Sequence, residues 1–481
     1  MSAACFMAKA GWNVTVLEKH DEPGGRARQL KIDGFSFDMG PSWYWMPDVF
    51  ERFFYQFNKK AGDYYDLIRL DPSYSIYWND GVMDVPADYT SLKKLFESIE
   101  PGSSNKLDLF LKEAAFKYEA GMNRLVYKPG ISVTEFFDVD LLKGIIKLDV
   151  FTSIKRHIQQ YFHHPHLQQL LEFPVLFLGA LPEKTPALYS LMNYADIKGG
   201  TWFPKGGMYK IVEAMYTLAL ELNVKFCFNQ DVKNIEIKGG LASKVIAQNI
   251  DGEISVYKAD VVIANADYHH VENKLLPAAY RNYSEAYWNQ KVLAPSCIIF
   301  YVGLNKKLNN IHHHSLFFDT SFEQHAKEIY TTKQWPTDPL FYVSATSVTD
   351  NSSAPEGCEN LFFLIPVASG LTDDNEDLRN SYFEKIIDRF EKKTGETIRQ
   401  NIIVKKSYAY SNFVGDYNAY KGNAYGLANT LMQTAMLKPS IKNKKVRNLF
   451  YTGQFTVPGP GVPPALISGE VVSACINKLF R

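Results

Sequence analysis

The stretch between residues 13 and 41 constrains this chain most, because a strand, an acidic residue and a glycine pair follow one another there. Residues 13–18 form an apolar run typical of a β-strand, and the run ends in Glu18. A carboxylate at the C-terminal end of a parallel strand can bind a ribose hydroxyl of a dinucleotide. Gly24 and Gly25 let the backbone approach a pyrophosphate closely, since neither residue carries a Cβ.

Arg26 follows the glycine pair, and its guanidinium can offer a planar fork of donors to a phosphate or a flavin. Taken together, these features predict the ADP-ribose site of FAD. The alternative is an ordinary surface turn, since a Pro-Gly-Gly sequence by itself is usually a turn. The order of helix, strand, acidic residue, loop and Gly-Gly-Arg favours cofactor binding.

The element that usually opens a dinucleotide-binding fold, a strand with a G-x-G-x-x-G turn, is not found before the first helix. Residues 2–10 are predicted to form that helix, with Gly11 as its C-terminal stop. We therefore expect either an upstream start or a chain that lacks half of its phosphate cradle.

Composition excludes several classes of function. Lys and Arg total 52, as do Asp and Glu, so the zero net charge gives no electrostatic footprint for nucleic acid. The five cysteines are scattered without a C-x-x-C pair, which argues against zinc or a disulfide framework and fits a reducing cytoplasm. The 32 Phe and 29 Tyr suit a large apolar ligand as well as a large core.

The predicted fold is α/β, with a Rossmann-like FAD-binding domain whose first strand is truncated, a β-sheet substrate domain and a mainly helical region. The FAD-binding domain is predicted at 1–75, 199–269 and 441–481, the substrate domain at 76–89 and 270–440, and the helical region at 90–198. Residues 141–181 mix apolar and basic side chains. Such helices usually pack on a core, and the alternative is a membrane-facing entrance.

A second glycine-rich segment lies near the C-terminus. A buried strand at 448–453 leads through a Pro/Gly-rich loop into a helix predicted at 465–479. Gly461 to Pro463 are predicted near that helix N-terminus, where backbone donors can bind the polar edge of an isoalloxazine ring. The histidines at 163–166 and 312–314 fit no standard zinc spacing, so we expect surface loops and no metal site.

Motif blocks along nearly the whole chain resemble one family. They are found at residues 17–27, 37–41, 202–207, 264–267, 348–358, 418–422 and 451–463. In this order they resemble the bacterial carotenoid desaturases of the phytoene desaturase type, within the flavin amine-oxidase superfamily. Two departures are the absent Gly-rich turn and Pro464, which stands where many relatives have glycine.

The resemblance implies FAD-dependent insertion of C=C bonds into phytoene, giving lycopene or a partly desaturated carotene. A polyene has no acidic proton, so its oxidation requires a strong hydride acceptor and a long apolar tunnel. No catalytic acid or base is assigned. The predicted cofactor-binding residues are Glu18, Lys19, Gly24, Gly25, Arg26, Gly40, Pro41, Val232, Gly453, Gly461, Val462 and Pro463.

Two alternatives remain at the level of sequence. One is a carotene isomerase or a desaturase of another carotenoid, and the other is a cofactor-free, inactive carotenoid-binding protein. The expected partners are a long-chain carotenoid and a membrane surface, with no nucleic acid. The expected location is the cytoplasm, at the inner face of the cell membrane.

We predict that Glu18→Ala in the full-length protein weakens FAD binding about tenfold or more, because a charge-assisted hydrogen bond is worth about 1.5–3 kcal/mol. Flavin retention through gel filtration measures this. Unchanged retention would contradict the assignment of Glu18 to the adenosine ribose.

We also predict a gap in the cofactor sheet beside residues 14–17, and little or no flavin in the protein that starts at Met1. The reason is that unpaired buried backbone groups cost about 1–3 kcal/mol each. The flavin absorbance of the purified chain, compared with one extended upstream, is the measurement. Stoichiometric FAD in the chain that starts at Met1 would show the reasoning to be wrong.

Overall fold

The computed structural model describes residues 1–132, 135, 152–176, 179 and 181–480, which form a mixed α/β fold as predicted. The strands are β1 Thr15–Leu17, β2 Gln29–Ile32, β3 Phe35–Asp38, β4 Leu67–Arg69, β5 Tyr74–Tyr77, β6 Val82–Val85, β7 Trp202–Pro204, β8 Lys225–Cys227, β9 Asp231–Lys238, β10 Leu241–Gln248, β11 Ile254–Tyr257, β12 Val262–Ala264, β13 Ser296–Leu304, β14 His314–Phe317, β15 Phe341–Ser344, β16 Glu359–Val367, β17 Ile402–Tyr408 and β18 Leu449–Tyr451.

The α-helices of the described residues follow the amphipathic segments of the sequence. They are α1 Ser2–Lys9, α2 Pro47–Tyr55, α3 Tyr89–Ile99, α4 Ser103–Ala120, α5 Ile154–Gln159, α6 Pro165–Leu176, α7 Leu191–Tyr194, α8 Tyr209–Glu221, α9 Tyr268–His270, α10 Glu285–Asn289, α11 Phe322–Lys327, α12 Glu376–Thr394, α13 Tyr410–Tyr417 and α14 Val462–Phe480.

The parallel sheet at the cofactor end consists of two separate pairs of strands. Strand β1 pairs with β8, and β12 pairs with β18, both in parallel. Within the described residues no hydrogen bonds join β1 to β12, which is the gap predicted beside residues 14–17. Parallel sheets are normally buried on both faces, whereas no residue of β1 or β12 is fully buried.

Helices α1 and α14 span this gap. Met7 of α1 and Ile476 of α14 belong to one buried cluster, against which Val14 from the β1 side and Ile263 of β12 both pack. Ser2 also donates from its hydroxyl to the Leu466 carbonyl at 2.6 Å. The two strand pairs are therefore held together by helix packing.

A seven-stranded sheet in the order β17-β13-β16-β15-β14-β5-β6 forms the other half of the molecule. Side chains of a strand alternate between faces, and the two faces of this sheet belong to two different cores. Phe300 and Val302 pack with α12, whereas Ile299 and Tyr301 face the larger core that includes α2 and α8. The face of the sheet that carries Ile299 and Tyr301 therefore packs on the larger core.

The helical region packs on that larger core. Ile154 and Ile158 of α5 are fully buried, which favours core packing over a membrane-facing role for this helix. Residues 141–151, 177, 178 and 180 of the predicted membrane-facing segment lie outside the described residues. Among the helices described, none combines the length and the apolar character required to cross a bilayer.

Candidate functional site

The predicted glycine turn forms a tight cradle with the segment that ends in Gly40. Gly24 and Gly25 have φ values of 123° and 54°, which favour glycine. A Cβ on Gly40 would lie 2.3 Å from the Arg26 carbonyl oxygen, so the two segments approach too closely for any side chain. A Cβ on Gly25 would meet nothing within 4 Å, so the turn borders open space on that side.

Arg26 connects this cradle to the distant part of the chain. Its Nη1 atom donates to the carbonyl oxygens of Asn423 at 2.8 Å and Ala424 at 3.2 Å. The guanidinium also lies over the Tyr417 ring, 5.0 Å from its centroid. Burial lowers the pKa of Arg26, and the nearby Asp267 carboxylate opposes that effect. Its Nε and Nη2 atoms have no hydrogen-bond partner among the described residues.

Asn423 extends the connection to the C-terminal loop. Its side-chain oxygen accepts from Gln454 Nε2 at 3.1 Å, and its Nδ2 donates to Asp267 Oδ2 at 3.3 Å. Gln454 directly follows Gly453, whose amide donates to Ser468 Oγ of α14 at 3.1 Å. The blocks at 24–26, 264–267, 418–422 and 451–463 therefore meet at one place.

Glu18 lies at the C-terminal end of β1, as predicted. Its Oε1 atom accepts from the His20 amide at 3.0 Å, while Oε2 has no hydrogen-bond partner among the described residues. The Glu18 carbonyl accepts from the Gln230 amide at 2.8 Å, which brings Val232 near the same strand end. Lys19 instead donates to the Gly415 carbonyl at 2.6 Å, so its ammonium points toward α13.

The last helix begins three residues earlier than predicted, at Val462, so Pro463 belongs to its first turn. Proline has no N–H group, and Pro463 and Pro464 both lie in this turn. The free backbone donors of the helix start are therefore reduced to those of Gly461 and Val462. This arrangement suits a single acceptor group, aided by the positive end of the helix dipole.

The loop between β7 and α8 is held by Asp38. Its carboxylate accepts from the backbone amides of Met208 at 2.8 Å and Tyr209 at 3.0 Å, and burial raises its pKa to about 6. Asp38 also lines a cavity of about 180 Å³ together with Gln29 and Lys210. This polar lining suits water and not a hydrocarbon.

Trp43 occupies the interior behind Gly40. Its ring stacks on His314 at 4.0 Å and contacts the rings of Tyr74 and Tyr342. The prediction that residues 312–314 form a surface loop is wrong, because His313 and His314 are 3% and 0% exposed. Burial keeps them neutral, lowering the pKa of His313 to about 3, and His314 Nδ1 lies 2.7 Å from the Tyr342 hydroxyl. No metal-binding cluster is found among the described residues.

Three half-buried tyrosines, Tyr189, Tyr330 and Tyr425, have hydroxyl pKa values that burial raises. Tyr342 and Cys297 also affect the pKa of Tyr425, and Arg26 affects that of Cys297.

The sequence did not indicate a role for Asn423 or Gln454. Asn423 directly follows the block at 418–422, and Gln454 lies within the block at 451–463, so their position was the available signal. Their contacts join segments far apart in the chain, which no local pattern shows.

We predict that Gly40→Ala lowers the free energy of unfolding by about 1–3 kcal/mol, the usual range for overpacking. It should also displace the glycine turn and weaken FAD binding about tenfold, which corresponds to a loss of about 1.4 kcal/mol of binding free energy. Thermal unfolding and flavin fluorescence titration measure the two effects.

Gly62→Ala is the matched control, because a Cβ there meets nothing within 4 Å. Equal FAD affinity in the Gly40→Ala and Gly62→Ala proteins would contradict the role given to this close approach.

Comparison with known proteins gives matches along almost the whole chain. The family described as flavin containing amine oxidoreductase matches residues 1–477. A carotenoid 3,4-desaturase of Haloarcula japonica is 41% identical over 472 residues, covering 98% of this chain and 94% of that protein. A zeta-carotene-forming phytoene desaturase of Myxococcus xanthus is 29% identical, covering 98% and 91%.

A solved structure shows the same fold. An oxidoreductase from Methanosarcina mazei superposes with a TM-score of 0.63 at 17% identity, covering 98% of this chain and 97% of that one. At this identity the similarity concerns the fold alone.

Proposed function

Because the chain belongs to the family of flavin-containing amine oxidoreductases, we propose that it is an FAD-dependent desaturase that introduces C=C bonds into a carotenoid. The observation that carries this proposal is the similarity over 98% of the chain to desaturases of carotenoids. The aromatic cluster around Trp43, with Tyr74 and Tyr342, supports it, since a hydrocarbon is bound by apolar burial.

The residues of the cradle fit FAD. Oε2 of Glu18, which accepts no hydrogen bond from the described residues, would bind the adenosine ribose, with Val232 nearby, and the open side of Gly25 would face the pyrophosphate. The free donors of Arg26 and the amides of Gly461 and Val462 would bind the flavin ring. When bound, FAD supplies the hydride acceptor that this oxidation requires. Lys19, Gly24, Gly40, Pro41, Gly453 and Pro463 would shape the same site.

The protein's own contribution to the reaction is orientation and exclusion of water. The hydrophobic core near Gly40 contains rings such as Trp43 and Tyr342, which would offer an apolar surface to the substrate and exclude water from it. The hydroxyls of Tyr189, Tyr330 and Tyr425 are neutral at physiological pH, and burial raises their pKa further. The division into FAD-binding, substrate and helical parts given above is part of the same proposal.

Phytoene, converted to lycopene or a partly desaturated carotene, is the substrate that the motif blocks favour. A second candidate is desaturation at the 3,4 bond of a carotenoid, because a relative with that name is 41% identical. The test is to incubate the protein with FAD and liposomes that contain either phytoene or a carotenoid with a saturated 3,4 bond. Chromatography and mass measurement then identify the products.

A product lighter by two hydrogens establishes desaturation, and the accepted substrate decides between the two candidates. A product of unchanged mass but altered geometry would favour the isomerase alternative. Carotenoid bound without FAD and without any product would favour the cofactor-free alternative and overturn the proposal.

We also propose contact with the inner face of the cell membrane, because the proposed substrate dissolves in lipid. An exposed apolar patch supports this: Ile131, Val292, Met432 and Leu437 are 51%, 44%, 71% and 44% exposed. These residues lie together. Gly130 packs against the backbone of Ala435 and Met436. The side-chain amide of Gln433 accepts a hydrogen bond from the Val292 N–H and donates one to the Val292 carbonyl oxygen. Lys291 adjoins the patch and can attract anionic lipid.

We predict that the triple variant Ile131→Ser, Met432→Ser, Leu437→Ser binds anionic liposomes about tenfold more weakly. A large apolar side chain is worth about 1.5–3 kcal/mol when fully buried, so three partly inserted ones suffice for this loss. Liposome flotation is the measurement.

The matched control replaces three exposed apolar residues near β11, Ile250, Ile254 and Val256, with Ser. If both triple variants float like the unaltered protein, the patch does not contact the membrane.

A further inference from the structure

Lys438 is a buried lysine whose charge has no counterion within the described residues. The side chain is 4% exposed, and its Nζ makes one hydrogen bond, to Asn429 Oδ1 at 2.8 Å. An ammonium group has three donors, so two remain without a partner there. Asn429 is equally buried, and its Nδ2 makes no hydrogen bond to the described residues.

Such an arrangement is unfavourable unless something else interacts with it. A buried ammonium without a partner costs several kcal/mol, and the usual response is to release its proton. Burial, together with repulsion from Lys291, lowers the pKa of Lys438 to about 7. Near neutral pH the group can therefore gain its charge when an anion approaches.

The location of the pair shows where such an anion would lie. A Cβ on Gly459, which has a φ of 145°, would be 3.1 Å from Asn429 Oδ1 and 3.4 Å from Lys438 Nζ. The pair thus packs directly against the backbone of the loop between Pro458 and Gly461. This loop leads into the N-terminus of α14, the positive end of a 19-residue helix.

We propose that Lys438, positioned by Asn429 against Gly459, makes the protein bind reduced FAD more tightly than it would without this lysine. This inference rests on the proposed function, which places the flavin ring at Gly461 and Val462. Reduction adds electron density to the polar edge of the ring, and a cation behind the loop stabilises negative charge there. Lys438 is a positioning and electrostatic residue, since it acts through the loop.

The test compares Lys438→Met with Lys438→Arg. Methionine has a similar length without charge, and replacing a buried charge with a well-packed apolar side chain does not by itself unfold a protein. Dissociation constants of oxidised and of chemically reduced FAD are measured by titration at pH 7 in the absence of carotenoid. The midpoint potential of the bound flavin is an independent readout.

We expect Lys438→Met to lower the preference for reduced FAD about tenfold, which equals about 30 mV for a two-electron couple. Lys438→Arg should retain most of the preference because the charge remains. Lys291→Met is the control, since it removes a neighbouring lysine and should not lower the preference.

An unchanged midpoint potential in folded Lys438→Met protein overturns the inference, and so does an equal loss in Lys291→Met. If Lys438→Met changes only the Michaelis constant for carotenoid, the lysine acts on the substrate, and the inference is also wrong. Because the protein that starts at Met1 is expected to retain little flavin, the titrations extend to high FAD concentrations. Failure of the unaltered protein to bind FAD in either state even there would instead count against the proposed function.

Discussion

The hydrogen bonds of Arg26 to the carbonyl oxygens of Asn423 and Ala424 hold the candidate site together. These residues are almost 400 positions apart in the chain. Because Asn423 also bonds to Gln454 and Asp267, one guanidinium fixes the glycine turn relative to both later segments. A buried charge-assisted interaction of this kind is costly to break, since the partners would remain buried without it.

The charges around the cradle follow a common principle. Arg26 is compensated by carbonyl oxygens, aromatic rings and the field of Asp267, and Asp38 by two backbone amides. Burial disfavours the charged form of each group, and hydrogen bonds and opposite charges around the group favour it. Lys438 differs from both, because a neutral amide oxygen is its single hydrogen-bond partner among the described residues, and the proposed effect on reduced FAD rests on that difference.

The order of helices and strands could largely be predicted from the sequence. The helix before Gly11, the strand that leads to Glu18 and the strand before the C-terminal loop were all expected from turn residues and periodicity. The length of short strands was harder to predict: β1 comprises three residues, fewer than the apolar run at 13–18. The start of α14 was misplaced because prolines, which favour a first helical turn, were assigned to the loop.

What the sequence by itself determined is the family, the α/β class and the positions of the glycine-rich segments, because these depend on residues close together in the chain. Only the tertiary structure decided that His313 and His314 are buried, that Arg26 bonds to residues 423 and 424, and that Lys438 lies against Gly459. The physical reason is that burial and pairing arise between segments hundreds of residues apart. The sequence around a polar residue looks the same whether its side chain faces solvent or packs in the interior.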